Sequence, residues 1–354
     1  MPYRVTLHSH QFLVVQPANS TRGPGRVTSS YLRQRSTRQI SPVICFDPLP
    51  NAANDPPSPE ANIGGQCNSW LLASTSMQPW ALVSPASRGI GLELARRLLR
   101  TTDIPVVATA RRDVDQAREQ MLDGLQDVQE DRVKILKLDA LGKRDEPRCP
   151  YHSDLGVDEE TIHDAAAEAG KLFPKKDSYL HLSFCVPGLL FPEKAPSQIN
   201  YEDALLTFRT NTLGPLMLIK HFSPYLPRKS TDLTKTNGLP ERAVWATMSA
   251  RVGSISDNRL GGWYSYRASK AAVNQVTRTF DNHLRTSAGD KAMAVALHPG
   301  TVKTGLSKEF WDNVKEEKLF SAEYSAEKLL EVVNSRKDND RGKCWDWKGE
   351  EVSP

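Results

Sequence analysis

From Trp80 onward, short apolar runs alternate with stretches whose apolar residues recur at helical spacing, and this alternation constrains the fold more than any other feature of the 354-residue chain. A strand–helix–strand repeat makes successive strands parallel, because each helix carries the chain back across the sheet before the next strand begins. Helices then cover both faces, so the strands read as nearly continuous apolar runs. Strands are expected at 81–83, 106–109, 133–138, 180–186, 243–248 and 293–297, with a last short one at 343–347. Helices are expected at 89–100, 159–172, 201–221, 264–284 and 326–334. The pattern predicts one α/β domain over 77–354, a doubly wound parallel sheet with helices on both faces. Two polar stretches, 143–156 and 228–240, read as surface insertions.

Residues 1–76 differ in kind. They are rich in Ser, Thr, Pro, Asn, Gln and Arg, and their only apolar run is Phe12-Leu-Val-Val15. Such a segment buries too little to offset its ordering entropy, so a disordered basic extension is expected. Residues 1–46 carry six arginines and no acid; against a chain net charge of +4, the remainder is net −2. A nearly neutral remainder argues against a nucleic-acid face. A basic, hydroxyl-rich, acid-free start resembles a mitochondrial transit peptide, but a passive extension or an upstream start site ahead of Met77 is the favoured reading. No apolar run approaches 18 residues, so no membrane span is expected. Five scattered cysteines (Cys45, Cys67, Cys149, Cys185, Cys344) have neither metal-site spacing nor the density of a disulfide framework, and read as reduced thiols of a cytoplasmic protein. No metal site is expected.

Two motifs carry chemistry. The first is Trp80-Ala-Leu-Val-Ser84-Pro-Ala-Ser87-Arg88-Gly89-Ile90-Gly91, an apolar strand entering a glycine-bearing turn. Ile90, Leu94 and Leu98 then recur at helical spacing. A strand, a glycine turn and a helix N-terminus make a cradle for a pyrophosphate. The second is Tyr264-Ser-Tyr266-Arg-Ala-Ser-Lys270, which puts a phenol and an ammonium at i, i+4 on one helix face. A tyrosine titrates near pH 10, about a thousandfold from working pH, and a nearby cation is expected to lower that value.

Together, in this order, the two motifs resemble those of the short-chain dehydrogenase/reductase family, whose fold is a Rossmann-type sheet. The likeness runs from about Met77 to the C-terminus. Further landmarks of the family recur: Phe184-Cys-Val-Pro-Gly188; Asn211 in Phe208-Arg-Thr-Asn-Thr-Leu-Gly214; and His298-Pro299-Gly300-Thr-Val302-Lys-Thr304. Residues 253–262 are most similar to the small carbonyl-reductase branch. The resemblance implies an oxidoreductase that moves hydride between NAD(P)(H) and a carbonyl or alcohol substrate. Tyr266 would be general acid/base, Lys270 would lower its pKa and hold the nicotinamide ribose, and Asn211 would position a relay water. Ser84, Ser87, Arg88, Gly89, Ile90 and Gly91 would bind the cofactor, its pyrophosphate meeting the Gly89–Gly91 end. Asp139 would touch the adenine, and Pro299, Gly300, Val302 and Thr304 would close over the nicotinamide. Pairing of two copies through the helices bearing Asn211 and Tyr266 is also implied. The second strand ends Thr109-Ala-Arg111-Arg112 with no acid before Asp113, and Arg88 is a second cation in the turn, so NADP(H) is expected over NAD(H).

The chain departs from the family at two places. Pro85 stands where the first turn glycine belongs, removing an N–H and fixing φ. Ala250, in Met248-Ser-Ala-Arg-Val-Gly253, stands where the family carries the serine that hydrogen-bonds the carbonyl. Ser254, in a loop able to curl toward Tyr266, ranks first as its substitute, and Ser249 second. A nucleotide-binding sensor or scaffold with little or no turnover is the rival to the enzyme reading. Trp263 and Trp311 are candidate walls of an apolar substrate pocket.

Overall fold

The computed structural model describes residues 77–139 and 159–354; the 1–76 extension, the 143–156 insertion and Cys149 lie outside them. The elements, in order, are β1 (Gln78–Ser84), α1 (Gly89–Thr101), β2 (Val106–Ala110), α2 (Val114–Leu122), β3 (Val133–Lys137), α3 (Glu159–Leu172) and β4 (Ser178–Cys185). There follow α4 (Tyr201–Phe208), α5 (Gly214–Phe222), β5 (Ala243–Met248), α6 (Tyr264–Ser287) and β6 (Ala292–His298). The chain closes with β7 (Thr301–Val302), β8 (Leu319–Phe320), α7 (Ala322–Asn334), β9 (Cys344–Asp346) and β10 (Glu351–Val352).

Eight strands form one sheet in the order β10-β9-β6-β5-β4-β1-β2-β3. All neighbours are parallel except β10, which runs antiparallel to β9. Successive residues of a strand enter opposite cores, as the pleat requires. Ala81, Val83, Val244 and Ala246 pack with Leu94, Leu98, Leu329 and Val333 of α1 and α7. Trp80, Leu82, Ala243 and Trp245 pack with Ile162, Ala169, Phe222 and Phe280 of α3, α5 and α6. This is the doubly wound, Rossmann-type sheet the alternation predicts. Strand order reverses between β1 and β4, and the crevice outside their carboxyl ends is where such sheets bind ligands.

The structure departs from the sequence pattern in the helix over 201–221 and in helix α2. The helix expected over 201–221 is broken by a π turn at Arg209–Leu213. Pro215 has no N–H to return to the Asn211 carbonyl, so the regular α ladder cannot run through this point. The 228–240 insertion lies across the amino ends of β1 and β4. There Thr234 donates its N–H to the Tyr179 hydroxyl (2.8 Å) and its own hydroxyl to the Met77 carbonyl (2.7 Å), at the far end of the sheet from the crevice. Helix α2, not expected from the sequence, starts at Asp113, whose carboxylate accepts from the Gln116 N–H at 2.9 Å.

Candidate active site

Helix α6 buries Tyr266, Ser269, Lys270, Val273 and Thr277, a stripe at three- and four-residue intervals that turns one face into the domain. Its first turn is held by Glu193. One carboxylate oxygen accepts from the Ser265 N–H (2.8 Å) and the other from the Ser265 hydroxyl (2.6 Å), while the Glu193 carbonyl accepts from the Trp263 N–H (2.6 Å). An anion at a helix N-terminus is favourably placed for the helix dipole. Glu193 carries no motif, and sequence reading missed it.

Tyr266 and Lys270 lie on the inward face, 8% and 1% exposed. The Lys270 ammonium donates to the Met248 carbonyl at 2.9 Å and stands 5.8 Å from the Tyr266 ring centre. Burial pushes Lys270 down to about 8, opposed in part by the nearby Cys185 and Cys344 thiols, both free and buried. Burial also raises Tyr266 well above the ordinary tyrosine range. The expectation that Lys270 lowers the phenol is therefore corrected in this geometry: desolvation outweighs a cation whose hydrogen bond goes to the main chain. The phenol is therefore fully protonated near neutral pH, and burial makes it a weaker acid than a free tyrosine.

Asn211 sits in the π turn, fully buried. Its amide oxygen accepts from the Leu189 N–H (2.8 Å), and its amide nitrogen donates to the Leu189 carbonyl (2.9 Å) and the Ser269 hydroxyl (3.0 Å). The side chain thus ties the β4 exit to α6. The missing N–H of Pro215 is the trace of this π turn in the sequence.

The proposed serine substitutes fall in different places. Ser249 lines the cleft described next, but its hydroxyl donates to the Asn274 side-chain oxygen at 2.6 Å, on the α6 face of the sheet. The structure does not bring Ser254 to that cleft. After the tight turn at Arg251–Gly253 its hydroxyl accepts from the Asp257 N–H (3.1 Å) and lies 3.3 Å from the Ser256 hydroxyl and 3.4 Å from the Pro354 carbonyl. The first-ranked substitute is corrected on that ground.

Tyr266, Lys270, Ser249, Ala250 and His298 open on a cleft of about 240 Å³ at the carboxyl ends of the strands. Its other walls are largely apolar: Leu190, Trp263, Leu306, Phe310 and Val314. The Trp263 ring lies 4.9 Å from Phe310 and 6.2 Å, edge-on, from Tyr266. Trp311, expected beside Trp263, is not among the walls; its indole N–H donates to the Ser307 hydroxyl at 2.9 Å.

Ile90, Pro299, Gly300, Val302 and Thr304 face the same cleft. Gly89 has φ +57°, and a Cβ built on it would meet the Thr304 methyl at 3.4 Å. A Cβ on Gly91 would lie 2.0 Å from the Pro85 carbonyl oxygen, so only glycine lets α1 approach the turn this closely. Arg88 caps α1 with no side-chain hydrogen bond, and the first turn holds no acid. The first N–H groups of a 13-residue helix therefore have no capping side chain, an arrangement that fits an anion. Ser87 belongs to the turn, whereas the Ser84 hydroxyl is buried against that of Thr109 at 2.8 Å. Arg111 directly follows β2; it and Arg88 are exposed and form no ion pair among the described residues. Asp139 follows β3, its N–H donating to the Thr161 hydroxyl at 3.1 Å. The uncapped start of α1 and the two exposed arginines, one at that start and one after β2, are groups of the kind that suit a dinucleotide.

No family model matches the chain. The 1-hydroxy-2-glutathionyl-2-methyl-3-butene dehydrogenase of Rhodococcus sp. is 34% identical over 158 residues, 44% of this chain and 61% of that protein, so the match spans about three-fifths of its length. C-signal of Myxococcus xanthus is 30% identical over 158 residues, 45% of this chain and 82% of its own. The solved NADPH-bound carbonyl reductase from chicken fatty liver superposes with a TM-score of 0.62 at 27% identity, covering 78% of this chain and 100% of that one. The chain belongs to the short-chain dehydrogenase/reductase family.

Proposed function

We propose that this family member is an NADP(H)-dependent reductase of small, neutral, apolar carbonyl compounds. The observation that supports it best is the placing of Tyr266 and Lys270, buried, at the wall of an apolar cleft continuous with the glycine turn. A cofactor bound along that crevice would supply the hydride. Tyr266 gives its phenolic proton to the carbonyl oxygen as general acid, and Lys270, cationic below about pH 8, stabilises the phenolate left behind. Asn211 fixes the β4 exit against α6, and its turn positions the water that returns the proton. Arg111, with Arg88, meets the 2′-phosphate. The substrate class follows from the walls: Trp263, Phe310, Leu190 and Leu306 favour a flat apolar group. Of the two wall cations, Arg251 is already paired with Asp346 at 2.8 Å and the Lys270 ammonium donates to the Met248 carbonyl at 2.9 Å.

The half-exposed apolar side chains Phe208 and Leu213, beside the Asn211 turn, support pairing of two copies through this region. No helix among the described residues is long and apolar enough to cross a membrane. Ala250 favours the rival reading of a nucleotide-binding sensor. The test is consumption of NADPH and NADH against a panel of aromatic aldehydes and diketones. Turnover with NADPH preferred supports the reductase; cofactor binding without turnover of any carbonyl supports the sensor. Exchanging Arg111→Asp should narrow the preference for NADPH at least tenfold, since a charge-assisted hydrogen bond is worth about 1.5–3 kcal/mol. Equal affinities for NADPH and NADH in the unchanged protein would contradict the cofactor assignment.

A further inference from the structure

A carbonyl reductase needs a hydrogen-bond donor on the substrate oxygen as it becomes an alkoxide, and Ala250 has none to give. The obvious replacements are committed elsewhere. The Ser249 hydroxyl donates to Asn274, that of Ser254 is turned to Asp257 and Pro354, and the Lys270 ammonium donates to the Met248 carbonyl. Arg251 is paired with Asp346 and, at 3.7 Å, with Asp257. Among the described residues lining the cleft, only His298 has a buried side-chain nitrogen, Nδ1, without a hydrogen-bond partner.

Its position is suited to the task. His298 ends β6, the strand beside β5, and Met248 is in register with Leu297. The Ser249 N–H donates to the Leu297 carbonyl at 2.7 Å, so His298 stands one strand away from the Ser249–Ala250 step, where the missing hydroxyl belongs. Neighbouring strands are about 4.8 Å apart, within reach of an imidazole.

We propose that His298 is a catalytic residue that donates a ring N–H hydrogen bond to the substrate carbonyl oxygen, replacing the serine lost at Ala250. This assignment rests on the reductase reading. Burial, reinforced by the Arg251 cation, holds the imidazole down to about 4, so near neutral pH it is uncharged, with one N–H donor and one acceptor nitrogen. A bound dihydronicotinamide would supply the hydride for the new C–H bond as the carbonyl π bond breaks, becoming oxidised nicotinamide, while Tyr266 supplies the proton that forms O–H. His298 polarises the C=O bond and stabilises the developing negative charge but keeps its own proton. The sequence has the same logic, since the hydroxyl is absent from the end of β5 and an N–H donor is present at the end of β6.

The experiment is steady-state reduction of 4-nitrobenzaldehyde with NADPH by the full chain and by His298→Ala, His298→Asn, Ala250→Ser and the double variant His298→Ala/Ala250→Ser. NADPH affinity and thermal midpoint are measured on each. Removing one donor of this kind costs about 10²–10³-fold in kcat. His298→Ala should lose about 10²-fold in kcat/KM with NADPH affinity unchanged, and His298→Asn, which keeps an N–H donor, should lose less. Ala250→Ser should restore at least tenfold to the His298→Ala protein while adding little to the unchanged one. A role only in folding would lower the thermal midpoint and would not be rescued by a hydroxyl at position 250. Activity of His298→Ala within threefold of the unchanged protein, or loss without rescue by Ala250→Ser, overturns the assignment alone. Absence of turnover by the unchanged protein with every carbonyl tested overturns the reductase reading and this assignment with it.

Discussion

Lys270 and Tyr266 face each other with their ionisation equilibria pushed apart by the same burial. Lys270 is cationic only below about 8, and Tyr266 is held neutral past its usual range. The consequence for stability has a definite sign. The folded-state value of Lys270 is depressed from 10.5, so between about pH 8 and 10 the unfolded chain binds more protons than the folded one, and this group makes the fold more stable as pH rises. Below pH 8 the cost of burying the ammonium is fully present. Above about pH 10 the raised Tyr266 acts the other way, because the unfolded phenol ionises first. Lys270→Met removes the first contribution. Unfolding free energies of the native chain relative to Lys270→Met should therefore rise by on the order of 2 kcal/mol from pH 8 to pH 10. A flat difference across that window would show that the ammonium is not desolvated in the fold.

Helix α6 carries that pair, and its placing depends on two contacts of different visibility. One is Gly253: a Cβ there would lie 2.7 Å from the Lys270 carbonyl carbon and 2.9 Å from its Cβ. Gly253→Ala should push α6 away from β5, costing about 1–3 kcal/mol as overpacking typically does, and lowering turnover with it. Denaturant unfolding and kinetics on the one variant test both. The other contact is Glu193 at the helix start, for which the sequence offers no sign, since a lone Glu 72 residues away announces no partner. What could be read from the sequence was the local and the periodic. The strand–turn–helix at 80–99, the i, i+4 pair at Tyr266 and Lys270, and the parallel sheet all rest on spacing along the chain. Helix α2 leaves little periodic trace because its polar run buries only Ala117 and Met121. Ser254 was misplaced because a loop's direction depends on tertiary partners, here Asp257 and Pro354. The π turn has its trace in Pro215, which lacks the N–H a regular helix needs there.

Among the described residues, those from 77 onward supply the sheet, the cores on its two faces, the glycine turn and the cleft. Deleting residues 1–76 should leave the thermal midpoint within about 2 °C and turnover within twofold, since the segment's composition offers no core. A larger loss in either would show that it packs on the domain. The reductase reading itself turns on one phenol. The decisive comparison is 4-nitrobenzaldehyde reduction by the native protein and by Tyr266→Phe, with NADPH affinity measured on both. General acid catalysis contributes about 10²–10⁴-fold, so Tyr266→Phe should lose at least 10²-fold in kcat while binding NADPH as before. Activity retained within threefold would contradict the mechanism.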